Sequence, residues 1–275
     1  MRPVAVRLAG GLGNQLFQYA AGKATALRLG CPLLLDVSLL EACFEGVTKR
    51  HYELGAFRVQ GQVVSRLPPG EWREYQQPGY CYDAAFERLA LGSCLNGYFQ
   101  TERFFVSHIP DIRRELQPVA TGRSAAFARL AASMDAAEYP VSIHIRRGDY
   151  VSNNTVRAVH GLCGPEYYKT AWRIIEALAP VRPTPFLFSD DRNAASDLGL
   201  AAALSDTPPD RPWEDLLLMS RCRAHILANS SFSWWGAWLN DKPGKQAVAP
   251  RAWFAQETMR THNTADLHPS GTILV

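Results

Sequence analysis

Residues 3–37 read PVAVRLAGGLGNQLFQYAAGKATALRLGCPLLLDV, and the fold class can be inferred from their pattern. The apolar run 3–9 is rich in β-formers, and the glycine-rich residues 10–13 predict a turn. Apolar positions at helical spacing then predict a helix over 14–29, which a glycine and a proline end. The apolar run 33–37 predicts a second buried strand. A β-α-β unit therefore opens the chain.

The same alternation returns from residue 139 onward, after a helical segment at 123–138 and a mixed region at about 41–110. The predicted strands are 141–146, 185–188, 224–228 and 247–249. The predicted helices are 165–178, a short one near 192–198, 212–222 and 231–239. Strands that alternate with helices indicate a parallel sheet covered on both faces. We therefore predict an α/β protein with two Rossmann-like domains facing across a cleft.

The composition is that of an ordinary globular protein. The 275 residues are 47% hydrophobic and 20% charged, with a formal net charge of +3. This small basic excess, without a basic run interleaved with aromatic residues, argues against a nucleic-acid partner. The chain does not start like a signal peptide, and no apolar stretch is long enough to cross a bilayer. We therefore predict a cytoplasmic protein whose six cysteines are reduced.

The glycine-rich segment 10–15, GGLGNQ, lies between the first strand and the first helix. Glycine lets a backbone approach a ligand closely, and a helix N-terminus offers free N–H groups to an anion. The candidate ligand-binding residues here are Gly11, Gly13, Asn14 and Gln15. Asp36 also fits a dinucleotide-binding fingerprint, but Leu16 stands where the third glycine belongs. A plain tight turn is the structural alternative.

The segment 142–150, SIHIRRGDY, contains a strand and the loop that follows it. The two isoleucines of this strand point to one face, while His144 and Arg146 point to the other. Arg146 and Arg147 stand at the carboxyl end of the strand, where open α/β sheets bind ligands. The planar fork of arginine suits a diphosphate and stabilises the charge on a departing nucleotide. An ion pair of either arginine with Asp149 is the structural alternative.

Two acidic residues, Asp190 and Asp191, end the next strand in the segment FSDD, 188–191. One of them is expected to cap a helix. The other carboxylate is suited to ribose hydroxyls or to the donors of a guanine edge. A metal site is not predicted, because no histidine or third acid lies near in sequence.

The segment 229–238, NSSFSWWGAW, follows a buried strand and begins a helix. The hydroxyls and backbone N–H groups of Asn229, Ser230 and Ser231 form a cradle suited to an anion, most simply a phosphate. Trp234 and Trp238 stand at i and i+4, a spacing that favours core packing over ligand contact.

Weaker candidates are single polar residues at loops or helix starts. They are His51, Gln100, Glu102, and Glu214 with Asp215. Such residues are more often solvated surface groups than functional ones.

Taken together, these strings resemble glycosyltransferase family 11, the α-1,2-fucosyltransferases. The matching segments are GGLGNQLFQYA (10–20), HIRRGDY (144–150), FSDD (188–191) and NSSFSWWGAW (229–238). They occur in the order found in that family and span most of the chain. The second and fourth segments are the most specific.

The resemblance implies a GT-B-like architecture with an acceptor-side domain over 1–135 and a GDP-fucose-binding domain over 136–275. It implies an inverting transfer with no cofactor and no metal. By similarity to related fucosyltransferases, Arg146 would contact the β-phosphate and Asn14 would reach across the cleft. The diphosphate would be held by Ser230, Ser231 and Phe232. The nucleoside would be met by Asp190 or Asp191 and by Asp215.

The function that the resemblance implies is a bacterial galactoside α-1,2-L-fucosyltransferase. Its partners would be GDP-fucose and a galactose-terminated oligosaccharide or lipid-linked glycan, the latter compatible with peripheral contact with a membrane. Arg146 and Arg147 would stabilise the leaving diphosphate. The candidate bases are His144, Asp149, His51 and Glu102, and the acceptor-side candidates are His51, Gln100, Glu102 and Trp234. The alternatives are fucosyl transfer to another hydroxyl or acceptor, a dinucleotide-dependent oxidoreductase, and a non-catalytic nucleotide- or glycan-binding protein.

Overall fold

The computed structural model describes residues 1–42, 49–119, 122–147, 159, 161–191 and 199–275. The chain divides into two compact units. The first consists of Met1–Ala120 and Asn263–Leu267, and the second of Thr121–His262 and His268–Val275. Each unit contains a parallel sheet, as the alternation of strands and helices predicts.

The strands and α-helices of the described residues are numbered here in chain order. The strands are β1 (Val4–Arg7), β2 (Leu33–Asp36), β3 (Gln62–Val64), β4 (Arg73–Gln76), β5 (Ser93–Asn96), β6 (Pro140–Ile145), β7 (Thr184–Ser189), β8 (Ala203–Leu204), β9 (Ala224–Ile226), β10 (Gln246–Ala249) and β11 (Ile273–Leu274). The helices are α1 (Leu12–Leu29), α2 (Ser38–Glu41), α3 (Ile109–Glu115), α4 (Ala125–Ala136), α5 (Pro165–Leu178), α6 (Pro212–Ser220), α7 (Ser231–Leu239) and α8 (Gln256–Thr261).

The sheet of the first unit has the strand order β3-β2-β1-β5-β4, with every neighbouring pair parallel. Helix α1 connects β1 to β2 and packs closely on the sheet. A Cβ atom at Gly22 would lie only 2.9 Å from the Val6 side chain, so this position of the helix requires glycine. The β-α-β unit predicted for the start of the chain is confirmed.

The sheet of the second unit has the strand order β11-β10-β9-β6-β7-β8 and is also parallel throughout. On one face, Ile143 and Ile145 of β6 belong to the same buried cluster as Trp172 and Ile175 of α5. The opposite face carries His144. The alternation of side chains predicted for this strand is therefore confirmed.

Helices α5 and α7 begin and end where the sequence predicts, whereas α6 ends two residues earlier than predicted. Pro165 is at the first position of α5, and Ser230 caps α7 with its side chain. Helix α1 begins at Leu12, two residues before the predicted start. The short helix predicted near 192–198 lies outside the described residues.

The units divide after Ala120, not after residue 135 as predicted. Helix α4 belongs to the second unit because its N-cap, Ser124, donates its backbone N–H to the buried Glu214 of α6 at 2.8 Å. None of the helices in the described ranges has the length and apolar character needed to span a membrane.

Candidate active site

The carboxyl edge of the second sheet brings three of the sequence motifs together. Strand β6 lies between β9 and β7, so the residues that follow these strands meet at one edge: Arg146, Asp190 and Ser230. The ring of His144 on β6 lies 5.6 Å, centroid to centroid, from the ring of Phe232 on α7. The arginine segment and the start of α7 are therefore neighbours, as the phosphate-binding interpretation requires.

The two aspartates after β7 contact the two arginines after β6. Arg146 Nη1 lies 2.7 Å from Asp190 Oδ2, and the Arg147 backbone N–H donates to Asp190 Oδ1 at 2.9 Å. Arg147 Nη1 lies 3.4 Å from Asp191 Oδ2. Sequence reasoning assigned one of these aspartates to a helix cap and the other to the nucleoside, and it considered only Asp149 as the ion-pair partner of the arginines. Asp149 lies outside the described residues.

Helix α7 presents its N-terminus at the same edge. Ser230 is its N-cap and accepts the Phe232 backbone N–H at 3.3 Å, and Ser231 is the first helical residue. The preceding Asn229 is 4% exposed, and its side-chain amide donates to the Trp253 carbonyl at 3.2 Å. The Asn229 side chain thus holds the turn, while the helix terminus supplies the N–H groups that favour an anion.

His144 is 5% exposed and is uncharged near neutral pH. Burial, together with the nearby positive charge of Arg146, lowers the His144 pKa to about 4. Its backbone carbonyl accepts the Tyr168 hydroxyl at 3.1 Å. An imidazole with so low a pKa is a weak proton acceptor near pH 7, and this disfavours His144 as the catalytic base.

Asp215 and Glu214, adjacent on α6, have different environments. Asp215 Oδ1 accepts the hydroxyls of Ser205 and Thr207, each at 2.6 Å, and burial raises the Asp215 pKa. Glu214 is fully buried and accepts the backbone N–H of Ser124. Glu214 is therefore structural, whereas Asp215 is a carboxylate held in position by hydroxyls and only partly buried.

Trp234 does not fit the acceptor-side role proposed for it. Its side chain is fully buried and stacks on Trp238, with centroids 6.1 Å apart and planes at 15°. Trp235 packs edge-on against both rings. These tryptophans are the core of α7, as their helical spacing favours.

In the first unit, the turn between β1 and α1 depends on Gly10. Its φ of 76° is one that glycine adopts readily, and a Cβ there would meet Asn14 Nδ2 at 2.5 Å. Gly11 is the N-cap of α1, and Gly13 lies buried in its first turn. The glycine-rich segment therefore packs tightly around Asn14.

Gln15 holds the neighbouring loop. Its side chain is fully buried, and Nε2 donates to the carbonyls of Gly10 at 2.9 Å and His51 at 2.7 Å. Its Oε1 accepts the Glu53 backbone N–H at 2.9 Å. Because backbone groups use its amide, Gln15 positions this loop, and the ligand-binding role expected for it stays a prediction.

Asn14 and Gln100, predicted to serve different substrates, contact each other. Gln100 Nε2 donates to Asn14 Oδ1 at 2.8 Å. Gln100 follows Phe99, whose φ of 53° is unusual for a residue other than glycine and is stabilised by Gln77 Oε1, which accepts the Phe99 N–H at 2.8 Å. His51 is exposed and Glu102 is partly buried.

Sequence reasoning missed Glu53. This residue is partly buried, and burial raises its pKa, although Arg50 and the backbone N–H of Leu12 favour its charged form. Glu53 thus lies at the start of α1. This contact could not be predicted, because the turn before α1 lies some forty residues earlier in the sequence and no local pattern links the two. In the described ranges, no group of three or more His, Cys, Asp or Glu side chains could hold a metal ion.

The chain is similar in sequence to known glycosyltransferases. Residues 85–269 match the sequence profile of Glycosyl transferase family 11. An Alpha-1,2-colitosyltransferase from Escherichia coli is 29% identical, over 95% of this chain and 96% of that protein. The O-antigen biosynthesis glycosyltransferase WbnK, also from E. coli, is 30% identical over 90% of this chain and 94% of its own length.

Solved structures share the fold at low sequence identity. The fucosyltransferase NodZ from Bradyrhizobium has a TM-score of 0.53 at 16% identity, over 87% of this chain and 94% of its own. A glycosyl transferase family 9 protein from Veillonella parvula has a TM-score of 0.50 at 8% identity, over 100% and 86%. The architecture is GT-B-like, with two α/β units that each contain a parallel sheet. The chain belongs to glycosyl transferase family 11.

Proposed function

We propose that this glycosyltransferase moves L-fucose from GDP-fucose to O2 of a terminal galactoside, with inversion at the anomeric carbon and without a metal. The observation that carries the proposal is the meeting of Arg146, Arg147 and the N-terminus of α7 at one sheet edge. Guanidinium groups and helix N–H groups are the donors that a diphosphate requires. The NodZ structures that contain GDP-fucose and GDP support the choice of donor class.

The main contribution of these residues to catalysis is to stabilise the leaving group. As the bond between fucose C1 and the β-phosphate oxygen breaks, negative charge develops on the diphosphate. Arg146, Arg147 and the first N–H groups of α7 stabilise that charge as it develops in the transition state. Asp190 keeps the Arg146 guanidinium oriented through their 2.7 Å contact. The acceptor oxygen attacks C1 from the opposite face and loses its proton to a base.

The nucleoside is assigned to Asp215. Two hydroxyls fix one oxygen of its carboxylate, which leaves the other as an acceptor for the N–H groups of a guanine edge. Asp190 is less suited to this role because the arginine segment already uses both of its oxygens.

Colitosyl transfer is the second candidate, because an E. coli colitosyltransferase is 29% identical over nearly the whole chain. Colitose is L-fucose without the 3-hydroxyl group. A site with a polar group that binds this hydroxyl would discriminate strongly against colitose. The galactose-terminated acceptor and the cytoplasmic location stay predictions.

The test is to incubate the purified chain with GDP-fucose or GDP-colitose and a panel of β-galactosides, with and without EDTA. GDP release measures turnover, and NMR of the product gives the linkage. We expect α-fucosylation at O2 that EDTA does not reduce. Transfer from GDP-colitose alone would replace the proposed donor, and fucosylation at another hydroxyl would contradict the proposed linkage.

A further inference from the structure

Two buried histidines lie on neighbouring strands of the second sheet. His144 of β6 is 5% exposed and His225 of β9 is 2% exposed. Burial is the main cause of a lowered pKa for both, to about 4 for His144 and about 3 for His225. Both imidazoles are therefore neutral near pH 7, and each has one N–H donor and one acceptor nitrogen to satisfy.

The two rings differ in their hydrogen bonds. His225 Nδ1 lies 2.8 Å from Ser142 Oγ, and its Nε2 lies 2.8 Å from Asn240 Nδ2, so both nitrogens are used. His144 Nδ1 is shielded from solvent and has no hydrogen-bond partner among the described residues. Leaving a buried polar atom without a partner costs stability, so such an atom calls for an explanation, and a bound ligand that accepts its hydrogen bond is one.

The surroundings of His144 favour an anion. Its ring packs against Phe232, the second residue of α7, whose N-terminus carries partial positive charge. Arg146, two residues further along the chain, opposes protonation of the ring, while Asp190 favours it. A neutral imidazole in this place can donate one hydrogen bond without adding a charge to be desolvated.

We propose that His144 Nδ1 carries the ring proton and donates it to a phosphoryl oxygen of the bound guanine nucleotide. This inference rests on the proposed function and adds a third kind of donor to the diphosphate site. Because Nδ1 is covered, the contact requires a neighbouring group to move.

Three substitutions of His144 distinguish the roles of its two ring nitrogens. In His144→Asn the amide lies near the Nδ1 position, in His144→Gln it lies near the Nε2 position, and His144→Phe keeps only the ring. Isothermal titration with GDP should show roughly ten-fold or greater loss of affinity in the Gln and Phe variants. His144→Asn should stay within roughly three-fold of wild type. Guanosine affinity should be the same in all four proteins.

The matched control is His225→Phe, which replaces a buried imidazole whose two nitrogens both have hydrogen-bond partners. This variant should lower the melting temperature, because Ser142 and Asn240 lose their partner, and should leave GDP affinity unchanged in the folded protein. His144→Phe should not lower the melting temperature, because Nδ1 has no hydrogen-bond partner to lose among the described residues. A purely structural His144 would give the opposite pattern.

Histidine side-chain ¹⁵N NMR of the wild type gives a test that needs no folded variant. GDP should shift the His144 resonances and leave those of His225 in place. The inference is overturned if His144→Phe binds GDP like wild type, if the Asn variant is as weak as Phe, or if only GDP-fucose affinity falls, which would indicate a sugar contact. Failure of the wild type to bind GDP would instead reject the proposed function.

Discussion

Asp190 binds the Arg146 segment at two points: its Oδ2 lies 2.7 Å from Arg146 Nη1, and its Oδ1 accepts the next backbone N–H at 2.9 Å. One carboxylate thus fixes both the guanidinium and the main chain at the end of β6. A fixed guanidinium loses less conformational freedom when it binds a diphosphate, which is the basis of electrostatic preorganisation.

Replacing Arg146 with Lys keeps the charge but removes the planar fork. We expect kcat for GDP release from GDP-fucose to fall by roughly 100-fold, because the loss concerns charge that develops in the transition state. Arg129→Lys is the matched control, since Arg129 pairs with Asp206 in the same unit but both side chains are largely exposed. Near-normal turnover of Arg146→Lys would remove Arg146 from catalysis.

Asp215→Asn tests the nucleoside assignment. The amide replaces a carboxylate that accepts two hydroxyls at 2.6 Å, and it weakens the acceptor offered to a guanine edge. KM for GDP-fucose should rise roughly ten-fold, with a smaller change in kcat. Asp210→Asn is the control, because Asp210 is an exposed residue of the same region. An unchanged KM would place the guanine elsewhere.

Glu214 and Ser124 provide a test of stability without a change in chemistry. Glu214→Gln should lower the free energy of unfolding by about 1–3 kcal/mol, because a buried acceptor of the Ser124 N–H and hydroxyl is altered. A double-mutant cycle with Ser124→Ala should give a coupling of at least about 0.5 kcal/mol. The folded variants should bind GDP normally, and additive effects would refute the contact.

The fold follows from local patterns more fully than the site does. Strong local signals place α5 and α7, a proline at the first position in one case and a capping serine in the other. Residues 41–110 resisted prediction because β3 and β4 are only 3 and 4 residues long and take their place through pairing with distant strands. Short edge strands carry little periodicity.

In the site, the placement of Arg146 and Ser230 at one sheet edge could be predicted because each follows a strand of the same sheet. The partners could not be predicted. Gln15 contacts a loop that begins 36 residues further along the chain, and Asp190 reaches the backbone of a residue 43 positions earlier. Such contacts are set by tertiary packing and leave no trace in sequence spacing.

Stability should depend on pH through the buried histidines. The His144 pKa of about 4 lies below the ordinary value, so the unfolded chain takes up this proton near pH 6.5 while the folded chain does not. The free energy of unfolding should therefore fall between about pH 6.5 and pH 4, by up to about 3 kcal/mol for His144. Denaturant titrations across this range should show a smaller decline for His144→Phe, and equal slopes would contradict the assigned burial.

The most direct measurement of the central claim is a crystal structure with bound GDP. We predict the diphosphate within hydrogen-bond distance of the Arg146 guanidinium and of the backbone N–H groups that begin α7. A GDP molecule bound with its phosphates away from this sheet edge and out of reach of the Arg146 guanidinium would contradict the account.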